Sequence, residues 1–374
     1  MRAASARQPG SAAPVTVLLA AVNTFVFVAM AASAGAVVSL PTGVLLDWGA
    51  NFGPLTLGGE WWRLGSSVFL HGGIVHLAVN LWALWVGGRL TEQVFGSFGL
   101  LVLYLLSGFT GSLASVLWHP QGVISVGSSG AVFGVFGALL AFLATHRRAI
   151  DPRALWHVAV PAIVFVVASL AFGVMQPGID NGAHIGGLVA GVAGGWWAGR
   201  RLGPDARVGS ARTAALALVG AALVTAGIAL APPPPYDARN EARLREEINW
   251  LIREEPRILD AFREIAERRR AGELDREGMA REMRERGLEP WGQAANRLDA
   301  VPVDDEAPSA PAFRVLVDYV HLRRDAAAAL VDGLERNDPR QFERFQALQG
   351  QVDAARERFR ELTGAPAASR TEAP

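Results

Sequence analysis

An all-α polytopic membrane protein with seven transmembrane helices, followed by a soluble helical region, is the fold class this sequence predicts. Two observations carry the prediction. Seven apolar stretches of roughly the length needed to cross a hydrocarbon core about 30 Å thick fall before the proline run Pro232 to Pro235. Beyond that run the composition reverses. Up to Ala231 there are 11 Arg and 6 acidic residues out of the 35 of each sign, which leaves 24 basic and 29 acidic residues for the last 143. A low-charge membrane part and a charged, helix-rich part are therefore joined at the prolines.

The expected spans run in order from Val15 to Val37, Ile74 to Gly88, Gly99 to Trp118, Ser129 to Thr145, Ala154 to Met175, Gly182 to Gly199, and Thr213 to Ala231. The second is short unless it starts near His71. Arginines mark the ends that should face the cytoplasm: Arg2 and Arg7, Arg89, then Arg147, Arg148 and Arg153, then Arg200, Arg201, Arg207 and Arg212. Counted from an inside N-terminus, all of these junctions fall on one side, as the positive-inside rule requires, and only Arg63 falls on the other. An odd number of spans places residues 232–374 outside the cytoplasm. A cleaved signal peptide is the competing reading of the start, with Ala32, Ala34 and Ala36 as small residues for cleavage. The apolar run is longer than a signal core, so retention as a first span is expected.

The chain has no cysteine, which excludes disulfides and thiolate metal sites, and its 35 basic residues are all arginine. No metal-ligand spacing, phosphate-cradling glycine loop or basic nucleic-acid patch occurs in the part after the prolines. No metal, cofactor or nucleic-acid partner is therefore expected.

Polar groups inside apolar spans are costly and mark function more often than packing. "FLHGGIVHLAVN" supplies His71, His76 and Asn80; the fourth span opens with Ser128 and Ser129; "DNGAHIGG" supplies Asn181 and His184. His76 and Asn80, four apart, share one helix face. They read equally well as interhelical polar glue. Gly130 and Gly134 in the fourth span, and Gly187, Gly191 and Gly195 in the sixth, repeat at every fourth residue. Two bare faces are thus available to meet, and if they do, His184 comes level with Ser129. A serine needs a base to become a nucleophile, and a histidine in reach is the commonest one. A serine that opens a helix also stands beside free backbone N–H groups. His76 and Asn80 could add donors for a developing oxyanion. Asp180 lies four residues before His184 and is given no catalytic role.

These residues resemble the rhomboid family of intramembrane serine proteases over roughly residues 15 to 199. The likeness consists of Trp62 and Arg63, then His71, His76 and Asn80, then Glu92, then Gly127, Ser128, Ser129 and Gly130 as GxSG, and finally Ala183 and His184 followed by Gly187 and Gly191. The resemblance implies a rhomboid-like helical bundle with Ser129 as nucleophile and His184 as general base. It also implies an oxyanion hole from His76, Asn80 and the Ser129 backbone, with His71 supporting loop and water near the site. It places Trp62 and Arg63 in a loop, residues 40 to 64, that forms a hairpin at the membrane interface, and it makes the fifth span a lateral gate. Transmembrane proteins in the bilayer would be the substrates, cleaved near the outer face. The expected location is a bacterial inner membrane.

The domain organisation expected is a cytoplasmic N-terminus over 1–14, a six-helix core over 15–199, a linker and seventh span over 200–231, and an extracytoplasmic helical domain over 232–374. In the last, Ile248, Leu251, Ile252, Ile258, Leu259, Phe262 and Ile265 form an amphipathic stripe. The stretch from Phe313 to Leu362 reads as a charged antiparallel hairpin or coiled coil. Solvated helices are the bland reading of this region, and protein contacts through them the functional one. A catalytically silent, client-binding rhomboid relative is the alternative to a protease. A transporter finds little support, because there are no repeated halves.

Overall fold

The computed structural model describes residues 13–176, 178–199 and 210–364. Arg2, Arg7, Arg200, Arg201 and Arg207, which carry part of the orientation argument, and most of the 1–14 segment lie outside the described residues. The chain divides into two compact units, Met1–Pro235 and Tyr236–Pro374. Among the described residues there is no strand, only an isolated bridge between Asn51 and Ser125.

In the first unit α1 spans Pro14–Ala34 and ends where Gly35 takes a left-handed conformation, φ 61°. Its first turn is tied to the core through Glu92. That carboxylate accepts from the Val15 and Thr16 backbone N–H groups, the Thr16 hydroxyl and the Ser97 hydroxyl. Four donors and a helix N-terminus suit a charge that would otherwise be costly at low polarity. Further along, Asn23 donates to the Tyr104 hydroxyl at 3.2 Å. Both ties bind α1 into the unit.

Residues 40–64 hold two short helices, α2 (Thr42–Asp47) and α3 (Gly53–Leu57), before α4 (Arg63–Ser66) and a 3₁₀ turn, Ser67–Phe69. Arg63 holds this connection together from within. Its guanidinium is buried, pairs with Glu60 at 2.7 Å, and donates to the carbonyls of Leu46 and Ala50. Trp48 and Trp62 are exposed, as aromatic residues at an interface would be.

The second and third expected spans fall in one continuous element, α5 (Ile74–Trp118), interrupted at Gly96, whose φ of 74° and ψ of 168° are not helical. A residue with a Cβ adopts that backbone only under strain, so glycine is what separates the two limbs. Then follow α6 (Ser129–His146), α7 (Pro152–Met175), α8 (Asn181–Gly199) and α9 (Ser210–Ala229). Five of these helices, α1, α5, α6, α7 and α9, are long and apolar enough to cross a membrane. With α5 broken in two they supply six of the seven expected spans. In α8, the expected sixth, seven glycines, Asn181 and His184 lower the mean hydropathy.

The centre of the unit is the contact of α6 with α8. A Cβ on Gly187 would meet the Gly130 backbone, one on Gly191 the Gly134 backbone, and one on Gly195 that of Ala138. Three successive turns therefore pack backbone against backbone, an arrangement that lets lipid-immersed helices gain close contact without a hydrophobic driving force. By contrast α7 is attached loosely. Only Ala162 and Val166 of its 24 residues are buried.

The second unit consists of α10 (Ala238–Arg270), α11 (Arg276–Met283), a π turn (Arg284–Leu288), α12 (Glu289–Asp299), α13 (Ala310–Arg336) and α14 (Pro339–Thr363). Leu244, Ile248, Leu251 and Ile258 of α10 pack with Trp291 and Leu298 of α12 and Phe313, Leu316 and Val320 of α13. Ile252, expected on the buried stripe, is exposed instead, because the stripe follows a 3–4 spacing through Leu251. The stretch from Phe313 to Leu362 is two helices. Asn337 turns the chain in a left-handed conformation, φ 53°, and Asp338 caps α14 by accepting from the Arg340 N–H. Buried Glu241 is satisfied by the backbone N–H and hydroxyl of Ser309.

Candidate active site

The sharp turn before α6 sets the first component. Gly127 has φ 124°, a region that disfavours any side chain, and a Cβ there would collide with the His76 ring. Its N–H donates to the Ser67 carbonyl at 2.9 Å, which fixes the turn. Ser128 follows as the cap residue and Ser129 as the first residue of α6. Ser128 is buried, with its hydroxyl 3.4 Å from His71 Nε2, whereas Ser129 is half-buried and faces a cavity of about 780 Å³.

The second component comes from α8. Asp180 caps that helix by accepting from the Ala183 N–H at 3.0 Å, and His184 lies one turn further on. The glycine contact of α6 with α8 brings His184 against Ser129, 55 positions away in sequence, with the Ser129 hydroxyl 2.8 Å from His184 Nε2. The imidazole is stacked on Phe133, one turn into α6, with centroids 4.3 Å apart and planes 2° from parallel. Its other nitrogen, Nδ1, lies 3.3 Å from Asn181 Oδ1. Phe133 did not stand out in the sequence, and Asn181 stood out only as a polar group without an assigned role. The one usable signal was spacing, since Phe133 lies four residues from Ser129 and Asn181 three from His184.

The third component comes from the first turns of α5. His76 and Asn80 line the same cavity as Ser129 and His184. The Asn80 amide donates to the His76 carbonyl at 3.0 Å, and the Gly72 N–H donates to His76 Nδ1 at 3.4 Å, which leaves Nε2 of His76 directed at Gly127. His71 is fully buried behind them, edge-on to His76 at 5.1 Å. Of the other sequence candidates, Gly130, Gly134, Gly187 and Gly191 form the α6 and α8 contact, Trp62 and Arg63 belong to the connection before α5, and Glu92 holds the start of α1. None of these last three touches the cavity. No group of three or more His, Asp or Glu able to hold a metal occurs among the described residues.

The arrangement can do a definite kind of chemistry. A hydroxyl hydrogen-bonded to an imidazole stands at a helix N-terminus, whose free N–H groups and positive end favour developing negative charge. That combination suits attack on a carbonyl.

Comparison with known proteins finds likeness over the stretch that carries this cavity. The rhomboid domain family model matches residues 58–201, a stretch that includes His76, Asn80, Ser129 and His184. Rhomboid protease GluP of Bacillus subtilis (strain 168) is 42% identical over 153 residues, covering 41% of this chain and 29% of that protein. Rhomboid protease AarA of Providencia stuartii is 33% identical over 168 residues, covering 40% of this chain and 59% of its own. Inactive RHOMBOID-like protein 8 of Arabidopsis thaliana is 36% identical over 143 residues, with 38% and 39% covered. The chain thus spans between 29% and 59% of the length of these relatives. With its apolar helices this is an integral membrane protein, and its residues 58–201 match the rhomboid domain model.

Proposed function

We propose that the protein is an intramembrane serine endopeptidase that cleaves transmembrane segments of other membrane proteins, with Ser129 as nucleophile and His184 as general base. The observation that carries the reading is the 2.8 Å hydrogen bond from the Ser129 hydroxyl to His184 Nε2 in the wall of a cavity. In the first step Ser129 Oγ bonds to the carbonyl carbon of the scissile peptide while its proton passes to His184 Nε2. The C–N bond then breaks and the same proton leaves with the amine. Water, deprotonated by His184, releases the acyl group and restores Ser129. The oxyanion that forms at each stage would meet the backbone N–H of Ser129 and donors from His76 and Asn80. Loss of one such donor typically costs ~2.7–4 kcal/mol of barrier.

By the charge pattern the N-terminus is cytoplasmic, the cavity opens towards the outer face of a bacterial inner membrane, and residues 232–374 form an extracytoplasmic helical domain available for protein contacts. The test is cleavage of a transmembrane substrate in liposomes. Ser129→Ala should abolish cleavage, and Ser128→Ala should retain most of it. Equal rates for wild type and Ser129→Ala would sink the nucleophile. The existence of an inactive relative keeps a client-binding reading in play, and that reading requires that a fluorophosphonate never label Ser129 in folded protein.

A further inference from the structure

We propose that Asn181 is a positioning residue that selects the tautomer of His184, and that Asn181 is itself oriented by α7, so that the position of this loosely packed helix tunes the base. The inference rests on the reading of Ser129 and His184 as nucleophile and base.

The argument follows donors and acceptors along one line. Asn181 Nδ2 lies 3.1 Å from the carbonyl oxygen of Leu170 in α7. A carbonyl oxygen only accepts, so it is the NH₂ end of the amide that faces α7. With the amide turned this way, Oδ1 faces His184 Nδ1 at 3.3 Å. An amide oxygen likewise only accepts, so Nδ1 carries the ring proton, and in the neutral imidazole Nε2 is then bare. Nε2 is the atom that faces the Ser129 hydroxyl. Were the amide reversed, Nδ1 would accept, Nε2 would hold the proton, and Ser129 would face a donor that cannot take its proton.

The charged group nearest in sequence, Asp180, makes no hydrogen bond to the His184 ring: Oδ1 accepts from the Ala183 N–H and Oδ2 is buried without a hydrogen-bond partner. A second contact ties Asn181 to α7. A Cβ on Gly173, three residues beyond Leu170, would collide with Asn181 Oδ1, so the bare backbone of α7 abuts both ends of the amide. The same helix lines the cavity through Phe165, Ser169 and Phe172. Withdrawal of α7 would remove the Leu170 carbonyl and free the amide to turn.

The experiment uses the full-length protein, labelled with ¹⁵N-histidine and reconstituted in lipid nanodiscs, with the His184 signals assigned by their loss in His184→Gln. In the wild type, His184 should be protonated at Nδ1 and bare at Nε2. In Asn181→Ala the reversed tautomer should appear, and kcat should fall roughly tenfold, the scale of one neutral hydrogen bond, with KM unchanged. Asn181→Asp keeps an acceptor for Nδ1 but has no donor for Leu170; it should restore the wild-type tautomer and most of kcat. Gly173→Ala, which crowds Asn181 from α7, should reproduce the shift. A wild-type His184 protonated at Nε2, or an unchanged tautomer in Asn181→Ala, overturns the proposal; an unchanged tautomer in Gly173→Ala overturns its α7 arm. The tautomer is read without any substrate, so absence of cleavage by the wild type would defeat the protease reading separately.

Discussion

The two units of this chain are both helical, yet they are held together by opposite means. Of the 41 glycines, 34 precede the proline run, and in the α6 and α8 contact they let one backbone lie on the other. The tail has few glycines and a core of large side chains, with Trp291, Phe313, Leu244, Leu251 and Ile265 fully buried. Among the described residues the first unit has a single ion pair, Arg63 with Glu60, whereas the tail carries networks such as Arg286 with Glu264 and Glu282. The difference follows from the solvent. Lipid is as apolar as leucine, so helices within it associate through close contact and a few hydrogen bonds. In water, burial of apolar area drives folding at roughly 25 cal/mol per Å², and charges are best left at the surface.

The largest effect should come from adding bulk to the glycine contact. Gly187→Leu would push α8 away from the Gly130 backbone and separate His184 from Ser129. Fluorophosphonate labelling of Ser129 should fall by roughly two orders of magnitude, the scale that displacement of reacting groups by about 1 Å brings. Retained labelling would mean that the contact is not what places the base.

In the tail the comparable damage is removal of bulk. Trp291 is buried and edge-on to Tyr319 at 6.1 Å, so Trp291→Ala should lower the stability of this unit by about 3–5 kcal/mol. Hydrogen exchange of α12 and α13 amides in the full-length protein would report it. If Ser129 labelling collapsed together with the tail, the division into two units would fail.

A smaller effect separates the two by pH. The Tyr319 phenol is held above its ordinary value, first by burial and then by the negative charge of Glu255, to which it donates a hydrogen bond. A phenol raised in the folded state stabilises that state fully below the unfolded value of about 10 and loses the contribution as pH rises through the folded value. Tail stability should therefore decline above pH ~10, and Tyr319→Phe should remove that part of the decline. Chemical denaturation at a series of pH values checks both.

The smallest effect reverses the sign of the first. Gly350 lies within α14 with nothing near the place a Cβ would occupy. Gly350→Ala should raise tail stability by roughly 0.5–1 kcal/mol, because it removes backbone freedom from the unfolded chain. The shift in denaturant midpoint measures it, and a loss of stability would show that glycine has a packing role here too.

What the sequence determined alone is what depends on neighbours in the chain. The apolar spans, the break at the prolines, the glycines at every fourth residue and the Gly127 to Gly130 turn are all local patterns, each readable because a helix repeats over 3–4 residues. The break at Asn337, Asp338 and Pro339 is equally local, with a left-handed residue, a cap and a first-turn proline in a row, and it divides the 313–362 stretch into two helices. The separation of the second and third spans was local too, marked by Arg89, Thr91, Glu92 and Gln93, and the structure places the break at Gly96 within one element.

Tertiary structure alone decided the distances across helices. It set Ser129 against His184, laid Phe133 flat on the imidazole, and turned Asn181 between His184 and Leu170. It also took Trp62, Arg63 and Glu92 away from the cavity and gave them structural partners. Periodicity tells which face of a helix a residue occupies, but the depth and rotation at which two helices meet depend on every contact between them. That register, and with it the identity of the group behind the base, exists only once the glycine faces have closed.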